Sequence, residues 1–510
     1  MAEATTVRDG FDGPGSPAAC GRRASLLGAA ALVVATACGG SPGSDTPALD
    51  ASTDGTAPGD GAIDGRSPSV TGVDLVLAGE YVTSFVRDGR VYTVSGTAAR
   101  RGAGPNPPND LYPLVETALP PDVQVVAGAG GLHFTIVADA AGHVWEWGDI
   151  AANPALETST VPVQLTTSDG APFVLPGGVR SMAASVTTSV AVAGDGSVYI
   201  WDDCASGRAG DGTDGDAHVL HPRKVPLPAD ADIVKVAIGD VVIALGADGR
   251  VWTWGAEAVE NLGTNQPDFR APHQLTTTSA GTPLPPIIDI ATGQSYAYAL
   301  AANGDLFVWG FYAEIAGLCA TYCPQPTPRR SNELLAAATA GGARATQIHA
   351  SFGGSYAVMS DGTLWGWGTN GQGLVGDGHE PDYATTPMPY AWDWDRHALL
   401  VSPAVRIAPG VDDVVRVFTG SALVFYAYAL TADGRLYSWG RNKTGNLGSG
   451  VVPLNSHQAA TYPNSWDVTV PTEVDPFAAP NTPVASPHCL AHPDAPNCWC
   501  GAGPSDPQGC

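Results

Sequence analysis

Cysteine and histidine side chains crowd the C-terminal end of the chain, where they could form disulfide bonds or bind zinc. The residues of these types in this segment are His488, Cys489, His492, Cys498, Cys500 and Cys510. Thiolate and imidazole groups suit zinc, but this spacing matches no standard zinc module. Clustered cysteines of exported proteins usually pair. We therefore predict that the four cysteines form disulfide bonds, in one of three possible pairings, and that no metal is bound.

Three further cysteines lie in the central part of the chain. Cys319 and Cys323 are close together in one predicted loop, which favours a local disulfide bond between them. Cys204 is then left over. We expect it to be a buried, unreactive thiol.

Two other patterns resemble ligand sites, and both are better explained as ordinary loops. Asp211–Asp216 places carboxylates close together, as calcium requires, but position 12 from Asp211 is Pro222 and not the bidentate Glu of an EF-hand. Gly371–Gly376 matches G-x-G-x-x-G, a phosphate-binding pattern that needs a helix to begin there. The residues that follow do not favour a helix, so no cofactor is predicted.

Aromatic and basic residues that could bind a partner cluster in an insertion between Asp377 and Asp413. The insertion contains Tyr383, Tyr390, Trp392, Trp394, Arg396 and His397. Tyr, Trp and Arg dominate the energetics of protein interfaces, so we predict a binding site here. Tyr462 and Trp466, in a later loop, could share the same rim. In the alternative interpretation, the two tryptophans of the insertion point inward and pack an extra hairpin.

These candidate residues lie in or beside loops of a repeated β-hairpin. The clearest copy, Tyr428–Gly440, has two alternating halves joined by Asp433-Gly434, a dipeptide that favours a type I′ turn. The other six copies are Phe85–Gly96, Ile136–Gly148, Val190–Asp202, Ile243–Gly255, Ala299–Gly310 and Val358–Gly368. Five of the six intervals between successive turn glycines are 53 to 58 residues long, and the last is 72. So regular a period predicts a repeat fold.

Two more predicted strands complete each hairpin to a four-stranded unit. A short apolar strand precedes the hairpin, as at Val73–Ala78. A proline-containing segment follows most copies, as at Val161–Leu165, with a looser version at Thr386-Pro387. Proline cannot donate a ladder hydrogen bond, so this segment is expected to be the outermost strand. Four antiparallel strands per repeat predict an all-β fold, a seven-bladed β-propeller.

The two ends of the repeat region suggest how the ring closes. The first repeat lacks a clear proline strand, whereas Val470–Val474 is left over at the end. The simplest prediction is a clasp, in which this last strand pairs with the first blade. The alternative is a ring that closes without strand exchange.

The repeat resembles that of the regulator of chromosome condensation family. The resemblance rests on the pattern Ala-Leu-x-x-Asp-Gly-x-Leu-Trp-x-Trp-Gly and on loops such as Asn442–Gly450. It is strong in the last five repeats and poorest in the first, where Val94-Ser95-Gly96 replaces the Trp-Gly ending. It implies a seven-bladed propeller. Eukaryotic members act as exchange factors on a small GTPase, and a secreted bacterial inhibitor of β-lactamases shares the architecture.

Residues 1–37 resemble an export signal, with Arg22-Arg23 before an apolar run that is too short to span a bilayer. Small residues before Cys38 resemble the cleavage box of bacterial lipoproteins, so Cys38 is the predicted lipidation site and the only membrane attachment. Simple secretion is the alternative. Residues 38–69 form the anchor and a polar linker. Residues 70–474 form the propeller, and residues 475–510 a tail rich in Pro and Cys.

The composition of the chain argues against some classes of function. The formal net charge of −26 at pH 7 argues against nucleic acid as a partner. No catalytic set of side chains can be assembled from spacing alone. The sequence therefore favours a non-enzymatic, monomeric lipoprotein of the bacterial cell envelope, outer-membrane-anchored or extracellular, that binds a protein or glycan through its loop rim. The alternatives are an enzyme acting on polysaccharide or peptide and, by family analogy, a nucleotide exchange factor.

Overall fold

The structure, a computed structural model, describes residues 72–484 apart from a number of loop segments. The segments outside the described residues are 96–98, 104–113, 150–158, 215–218, 256–261, 265–267, 312, 314–315, 319–322, 379–400, 408–410, 421–422, 443–444, 454–467 and 479–481. Residues 1–71 and 485–510 also lie outside them.

The described residues form seven four-stranded antiparallel sheets, the blades of a β-propeller. Blade 1 consists of β1 (Leu75–Ala78), β2 (Val82–Arg87), β3 (Arg90–Ser95) and β4 (Val115–Glu116). Blade 2 consists of β5 (Val125–Gly130), β6 (Phe134–Asp139), β7 (Val144–Gly148) and β8 (Ser159–Gln164). Blade 3 consists of β9 (Val179–Ala184), β10 (Thr188–Ala193), β11 (Val198–Asp202) and β12 (Val219–Lys224). Blade 4 consists of β13 (Ile233–Ile238), β14 (Val242–Gly246), β15 (Val251–Trp254) and β16 (His273–Leu275).

The remaining three blades follow the same order. Blade 5 consists of β17 (Ile287–Thr292), β18 (Tyr296–Ala301), β19 (Leu306–Gly310) and β20 (Gln325–Arg330). One short helix, α1 (Ala336–Thr339), precedes blade 6, which consists of β21 (Ala345–Ala350), β22 (Gly354–Met359), β23 (Leu364–Thr369) and β24 (Val401–Arg406). Blade 7 consists of β25 (Val414–Phe418), β26 (Tyr426–Thr431), β27 (Leu436–Gly440) and β29 (Val468–Val474). β28 (Val451–Pro453) and β30 (Thr482–Val484) form a small parallel pair. In the described residues, no helix is long and apolar enough to cross a membrane.

The predicted hairpins are present, and their middle strands are buried more completely than an alternating pattern implies. Every residue of β10, β18 and β22 is buried. Each blade packs between two neighbours, so both faces of its middle strands are covered. The turn between β26 and β27 contains Gly434 at a φ of 83°, a conformation that favours glycine. This hairpin therefore needs glycine at that position.

A buried tryptophan near the end of the third strand ties several blades to the preceding blade. Nε1 of Trp254 donates a hydrogen bond to the main-chain oxygen of Arg208 at 2.9 Å. Nε1 of Trp439 donates to the main-chain oxygen of Leu374 at 3.0 Å. Both acceptors lie in the loop after the third strand of the preceding blade. The repeated tryptophan thus joins blades as well as filling the core.

Polar side chains on the inner strands add a second set of contacts between blades, which we call the axial belt. Nζ of Lys235 in β13 donates to Oδ1 of Asp289 in β17 at 2.7 Å. Oδ2 of Asp289 accepts a hydrogen bond from the main-chain nitrogen of Ile348 in β21 at 2.8 Å. Nε2 of Gln347 in β21 then donates to the main-chain oxygen of Val415 in β25 at 3.0 Å. These bonds connect blades 4, 5, 6 and 7 in turn.

The predicted clasp is wrong, because the ring closes without strand exchange. Val470–Val474 lies in β29, which pairs with β27 of its own blade. Blade 1 has a fourth strand of its own, the two-residue β4, paired with β3. Blade 7 and blade 1 instead meet through side chains and turns. Beyond β29, Phe477 crosses to blade 1, where its ring centroid lies 5.0 Å from that of Tyr92.

The outer strand of blade 6 also differs from the prediction. It is β24, with Pro403 inside it, and not Thr386-Pro387. The insertion therefore precedes the outer strand and belongs to the connection between β23 and β24. In blades 2, 3, 5 and 7, the predicted proline segments do lie in outermost strands.

Candidate interaction face

The antiparallel order of the strands sorts all connections onto two faces of the propeller. The loop face carries the connections from first to second strand and from third to fourth strand of each blade. The turn face carries the tight hairpin turns and the connections between blades. The connections from β23 to β24 and from β27 to β29, whose sequences include the insertion and the segment with Tyr462 and Trp466, start and end on the loop face.

The predicted binding residues themselves lie outside the described residues. They are Tyr383, Tyr390, Trp392, Trp394, Arg396, His397, Tyr462 and Trp466. The lipidation candidate Cys38 and the cysteines Cys319, Cys489, Cys498, Cys500 and Cys510 lie outside them too. Cys323 is disulfide-bonded, and its predicted pairing with Cys319 stays a prediction. Cys204 is free and buried, and burial raises the pKa of its thiol to about 12.

Aromatic and charged side chains on the described part of the loop face form an arc across blades 6, 7, 1 and 2. At one end, the ring centroids of Phe352 and Phe425 are 4.9 Å apart. Cζ of Arg441 lies 5.5 Å from the centroid of Phe425, and its Nη1 lies 3.9 Å from Oε1 of Glu80. An arginine stacked on an aromatic ring is a favourable cation–π pair. This end joins blades 6, 7 and 1.

The other end of the arc joins blades 1 and 2. The ring centroids of Tyr81 and His133 are 4.9 Å apart. Cζ of Arg100 lies 5.4 Å from the Tyr81 centroid, and its Nε donates to Oδ2 of Asp149 at 2.8 Å. We call the whole set the aromatic–arginine arc. Its members are Phe352, Phe425, Arg441, Glu80, Tyr81, Arg100, His133 and Asp149.

Close backbone packing holds the loop between β1 and β2 against the loop between β5 and β6. A Cβ atom on Gly79 would lie 2.2 Å from the main-chain oxygen of Gly131 in the next blade, so glycine is needed for this approach. The main-chain nitrogen of Tyr81 donates to the main-chain oxygen of Leu132 at 3.3 Å. Tyr81 and His133 are consequently held side by side by backbone contacts.

The aromatic members at blades 1 and 2 are neutral at physiological pH. Burial, reinforced by the charge of Glu80, raises the pKa of Tyr81 to about 12. Burial, reinforced by the guanidinium of Arg100, lowers the pKa of His133 to about 4. Neutral rings flanked by fixed arginines suit recognition by stacking and hydrogen bonding.

The charged and histidine side chains near the propeller axis contact neighbouring polar side chains, either between blades or within one blade. Lys235 and Asp289 of the axial belt are buried and paired. Nε2 of His349 and Oε1 of Gln347 lie 3.2 Å apart. Small side chains and glycines line most of the axial channel around them. In the described part of the chain, no group of three or more His, Cys, Asp or Glu side chains could hold a metal ion.

Two carboxylates of the acidic loop that follows β11 make contacts within the loop and with an arginine of blade 4. Oδ1 of Asp211 accepts a hydrogen bond from Oγ1 of Thr213 at 2.6 Å. Oδ1 of Asp214 lies 3.7 Å from Nη1 of Arg270. Asp216 of the same loop lies outside the described residues, so the choice between a calcium site and an ordinary loop stays a prediction.

Sequence reasoning missed the aromatic–arginine arc. Four of its members, Tyr81, His133, Phe352 and Phe425, come shortly before the second strand of their repeats. Aligning the repeats at that position would have shown the signal. Their proximity depends on the order of blades around the ring.

Comparison with known proteins agrees with the fold. The regulator of chromosome condensation (RCC1) repeat matches residues 433–485. The human E3 ubiquitin-protein ligase HERC2 is 28% identical over 280 residues, which is 53% of this chain and 5% of HERC2. Protein pim1 of Schizosaccharomyces pombe is 25% identical over 303 residues, 58% of this chain and 50% of pim1. The ultraviolet-B receptor UVR8 of Arabidopsis thaliana is 25% identical over 338 residues, 64% of this chain and 67% of UVR8.

Solved structures show the same architecture at low identity. Prp20p of Saccharomyces cerevisiae aligns with a TM-score of 0.56 and 20% identity, covering 79% of this chain and 88% of that one. Human WBSCR16 aligns with a TM-score of 0.53 and 18% identity, covering 68% of this chain and 84% of that one. This chain spans only part of HERC2 and about half of pim1. From its seven blades, its repeat pattern and these relatives, the protein is a repeat protein of the regulator of chromosome condensation type.

Proposed function

We propose that the protein is a non-enzymatic, exported propeller that binds another protein through its loop face. The observation that carries this proposal is the aromatic–arginine arc. It spans four blades on the same face as the connection that holds the insertion. Tyr and Arg are enriched among residues that dominate binding energy. A rigid scaffold that displays variable loops is a common basis for recognition.

Relatives support a protein partner over a small molecule. The solved structure of Prp20p is described together with its binding to Gsp1p and histones. Another solved structure contains Kap60 bound to the same yeast protein. These partners belong to that protein. For this chain they favour the general class of function, a propeller that binds proteins.

Export and lipid anchoring at Cys38 belong to the same proposal. They rest on the sequence of residues 1–38, with basic residues, an apolar run and small residues before the cysteine. Metabolic labelling with a palmitate analogue tests them, with wild type compared with Cys38→Ser. We expect label only on wild type. An unlabelled wild type would contradict lipid anchoring while leaving the loop-face proposal intact.

A matched pair of arginine variants in blade 7 tests the binding face. Arg441 stacks on Phe425 on the loop face, whereas Cζ of Arg435 lies 5.8 Å from the Tyr437 ring centroid on the turn face. Full-length wild type, Arg441→Ala and Arg435→Ala are each used to recover partners from the native cell envelope. We expect Arg441→Ala to lose at least tenfold in recovery of a partner that Arg435→Ala retains. Equal recovery by both variants would exclude this end of the arc as the binding site.

A further inference from the structure

Two carboxyl groups lie fully buried where blade 2 meets blade 3. Glu146, in the middle of β7, is 0% exposed, and Asp202, at the end of β11, is 1% exposed. Acidic side chains are almost never fully buried unless they are paired. A pair of this kind, outside the loop-face contacts described above, needs a physical explanation.

The equivalent contact between blades 5 and 6 explains why a glutamate occupies the buried position 146. In that contact, Nε1 of Trp367 donates to the hydroxyl oxygen of Tyr298 at 3.0 Å. In blade 2, the position of Tyr298 is taken by Ile136, which has no hydroxyl group. Glu146 is the ladder neighbour of Ile136, and its Oε2 accepts a hydrogen bond from Nε1 of Trp201 at 3.3 Å. Glu146 therefore supplies the acceptor that the missing tyrosine would have supplied.

Asp202 occupies a position that is glycine in five other blades. Those glycines are Gly148, Gly255, Gly310, Gly368 and Gly440. Asp202 has a φ of 73°, in the left-handed region that residues with a Cβ atom disfavour. Aspartate tolerates this conformation better than most residues with a Cβ atom, so it can replace the glycine. The replacement brings a carboxyl group within hydrogen-bonding reach of Glu146.

The hydrogen bonds of the pair are incomplete if both groups are ionised. Oε1 of Glu146 and Oδ2 of Asp202 are buried without a hydrogen-bond partner. Two ionised carboxylates would also repel each other in a medium of low dielectric constant. One proton between them satisfies both orphan oxygens, because a protonated carboxyl group donates to a carboxylate.

Burial favours the protonated form of the pair, and the negative charge of Asp203 acts in the same direction. The indole of Trp201 and the hydroxyl of Ser189 act in the opposite direction, because hydrogen bonds donated to a carboxylate stabilise its ionised form. The nearby Cys204 thiol is neutral, because burial raises its pKa. The positive charges of Arg208 and Arg223 lower the pKa of that thiol and offset part of this effect. Burial, and then the charge of Asp202, raises the pKa of Glu146 well above its usual range. Burial likewise raises the pKa of Asp202 to about 7.

We propose that Glu146 and Asp202 share a proton and act as a pH-sensitive lock between blades 2 and 3. When the proton leaves to solvent base, both groups become carboxylates and the junction is destabilised. The effect reaches the loop face, since β7 continues directly into Asp149. The main-chain nitrogen of Asp149 donates to the main-chain oxygen of His133 at 3.0 Å, so the lock lies directly below one end of the arc.

The difference in proton binding between the folded and the unfolded protein determines how the stability changes with pH. The pKa of each carboxyl group is higher in the folded than in the unfolded protein, so the folded state holds more protons. The contribution of the pair is present in full below the unfolded pKa, near 4, and is lost as the pH rises through the folded values. One proton changes the unfolding equilibrium by a factor of about ten per pH unit in this window.

Unfolding in urea between pH 5 and pH 8 tests the lock with full-length protein. The variants are Glu146→Gln, Asp202→Gly and their combination, with Asp122→Asn, at an exposed carboxyl group outside this junction, as the matched control. Relative to the double variant, we expect the folding equilibrium constant of wild type to fall at least tenfold from pH 5 to pH 8. Asp122→Asn should follow wild type. A constant ratio between wild type and the double variant would overturn the proposal.

Infrared spectroscopy gives a second readout that needs only the wild-type protein. At pH 6, where exposed carboxyl groups are ionised, we expect the carbonyl stretch of a protonated carboxyl group. Labelling with carboxyl-¹³C glutamate or aspartate should shift this band. The band should disappear as the pH is raised, and Asp122→Asn should retain it. Absence of the band from wild type at pH 6 would refute proton sharing even if the variants failed to fold.

Discussion

The hydroxyl group of Tyr426 in blade 7 donates a hydrogen bond to the main-chain oxygen of Gly79 in blade 1 at 2.6 Å. The same kind of bond joins blades 5 and 6, where the hydroxyl group of Tyr296 donates to the main-chain oxygen of Ser351 at 3.0 Å. Both tyrosines begin the second strand of their blade. The final junction of the ring is thus built like an internal one.

Removal of the Tyr426 hydroxyl should weaken the junction by the usual cost of an unsatisfied buried acceptor. We expect Tyr426→Phe to lower the free energy of unfolding by about 1–3 kcal/mol. Tyr296→Phe is the matched control and should cost a similar amount. Urea unfolding of both variants provides the measurement. A much larger loss for Tyr426→Phe would mean that the closing junction is a special weak point.

The segment after β29 should stabilise the ring by packing on blade 1. The ring of Phe477 contacts Tyr92, and Cζ of Arg87 lies 4.8 Å from its centroid. We expect Phe477→Ala to lower the free energy of unfolding by about 1–2 kcal/mol, because part of an aromatic side chain becomes exposed. Val470→Ala, at a side chain 43% exposed, should cost less than about 0.5 kcal/mol. If a chain ending at residue 474 unfolded at the same urea concentration as full length, this contact would contribute nothing.

Mutation of Asp289 in the axial belt should cost more stability than mutation of its partner Lys235. Asp289 binds Lys235 and also accepts from the main-chain nitrogen of Ile348, so Asp289→Ala leaves a buried cation and a buried amide unsatisfied. We expect a loss of about 3–5 kcal/mol, and a smaller loss for Lys235→Met. The double variant Lys235→Met/Asp289→Leu should lose less than the sum of the two single changes. Strict additivity in calorimetry or urea unfolding would argue against coupling.

His133 should remain neutral well below the ordinary pKa of histidine. Its folded pKa is about 4, against 6.5 for an unperturbed imidazole, so the unfolded state takes up protons first. The associated stability is present above pH 6.5 and is lost as the pH falls toward 4. An NMR titration of the imidazole, assigned with His133→Gln, measures the midpoint directly.

Arg100→Gln tests how the neighbouring positive charge affects the pKa of His133. It should raise the pKa of His133 toward the usual value, because the positive charge is removed while Asp149 remains. An imidazole that titrates near 6.5 in wild type would show that the ring is more exposed to solvent than the arc requires.

The local parts of the fold were predictable because their causes are local. Gly434 allows the hairpin turn, and the apolar residues on either side specify two short strands. Their regular recurrence then predicts the number of blades. The clasp was wrong for a physical reason. An outer strand such as β29 can pair with the exposed edge of β27 or of β3, and its own sequence does not distinguish between them.

The contacts between blades could not be predicted in the same way. Phe425 and Tyr81 belong to one arc because blade 7 lies beside blade 1, although much of the chain separates them. Glu146 and Asp202 meet because their blades are neighbours and Ile136 lacks a hydroxyl group. A single hint was present in the sequence, namely an aspartate at position 202 where other repeats have glycine.

Every blade draws its four strands from one continuous stretch of chain. Any junction between blades can therefore serve as a new pair of chain ends without separating a strand from its sheet. Circular permutants opened between β12 and β13, or between β20 and β21, would preserve all seven blades. In such a ring, one repeat unit of the gene encodes one complete structural unit, so duplication or loss of a repeat changes the size of the ring by a whole blade.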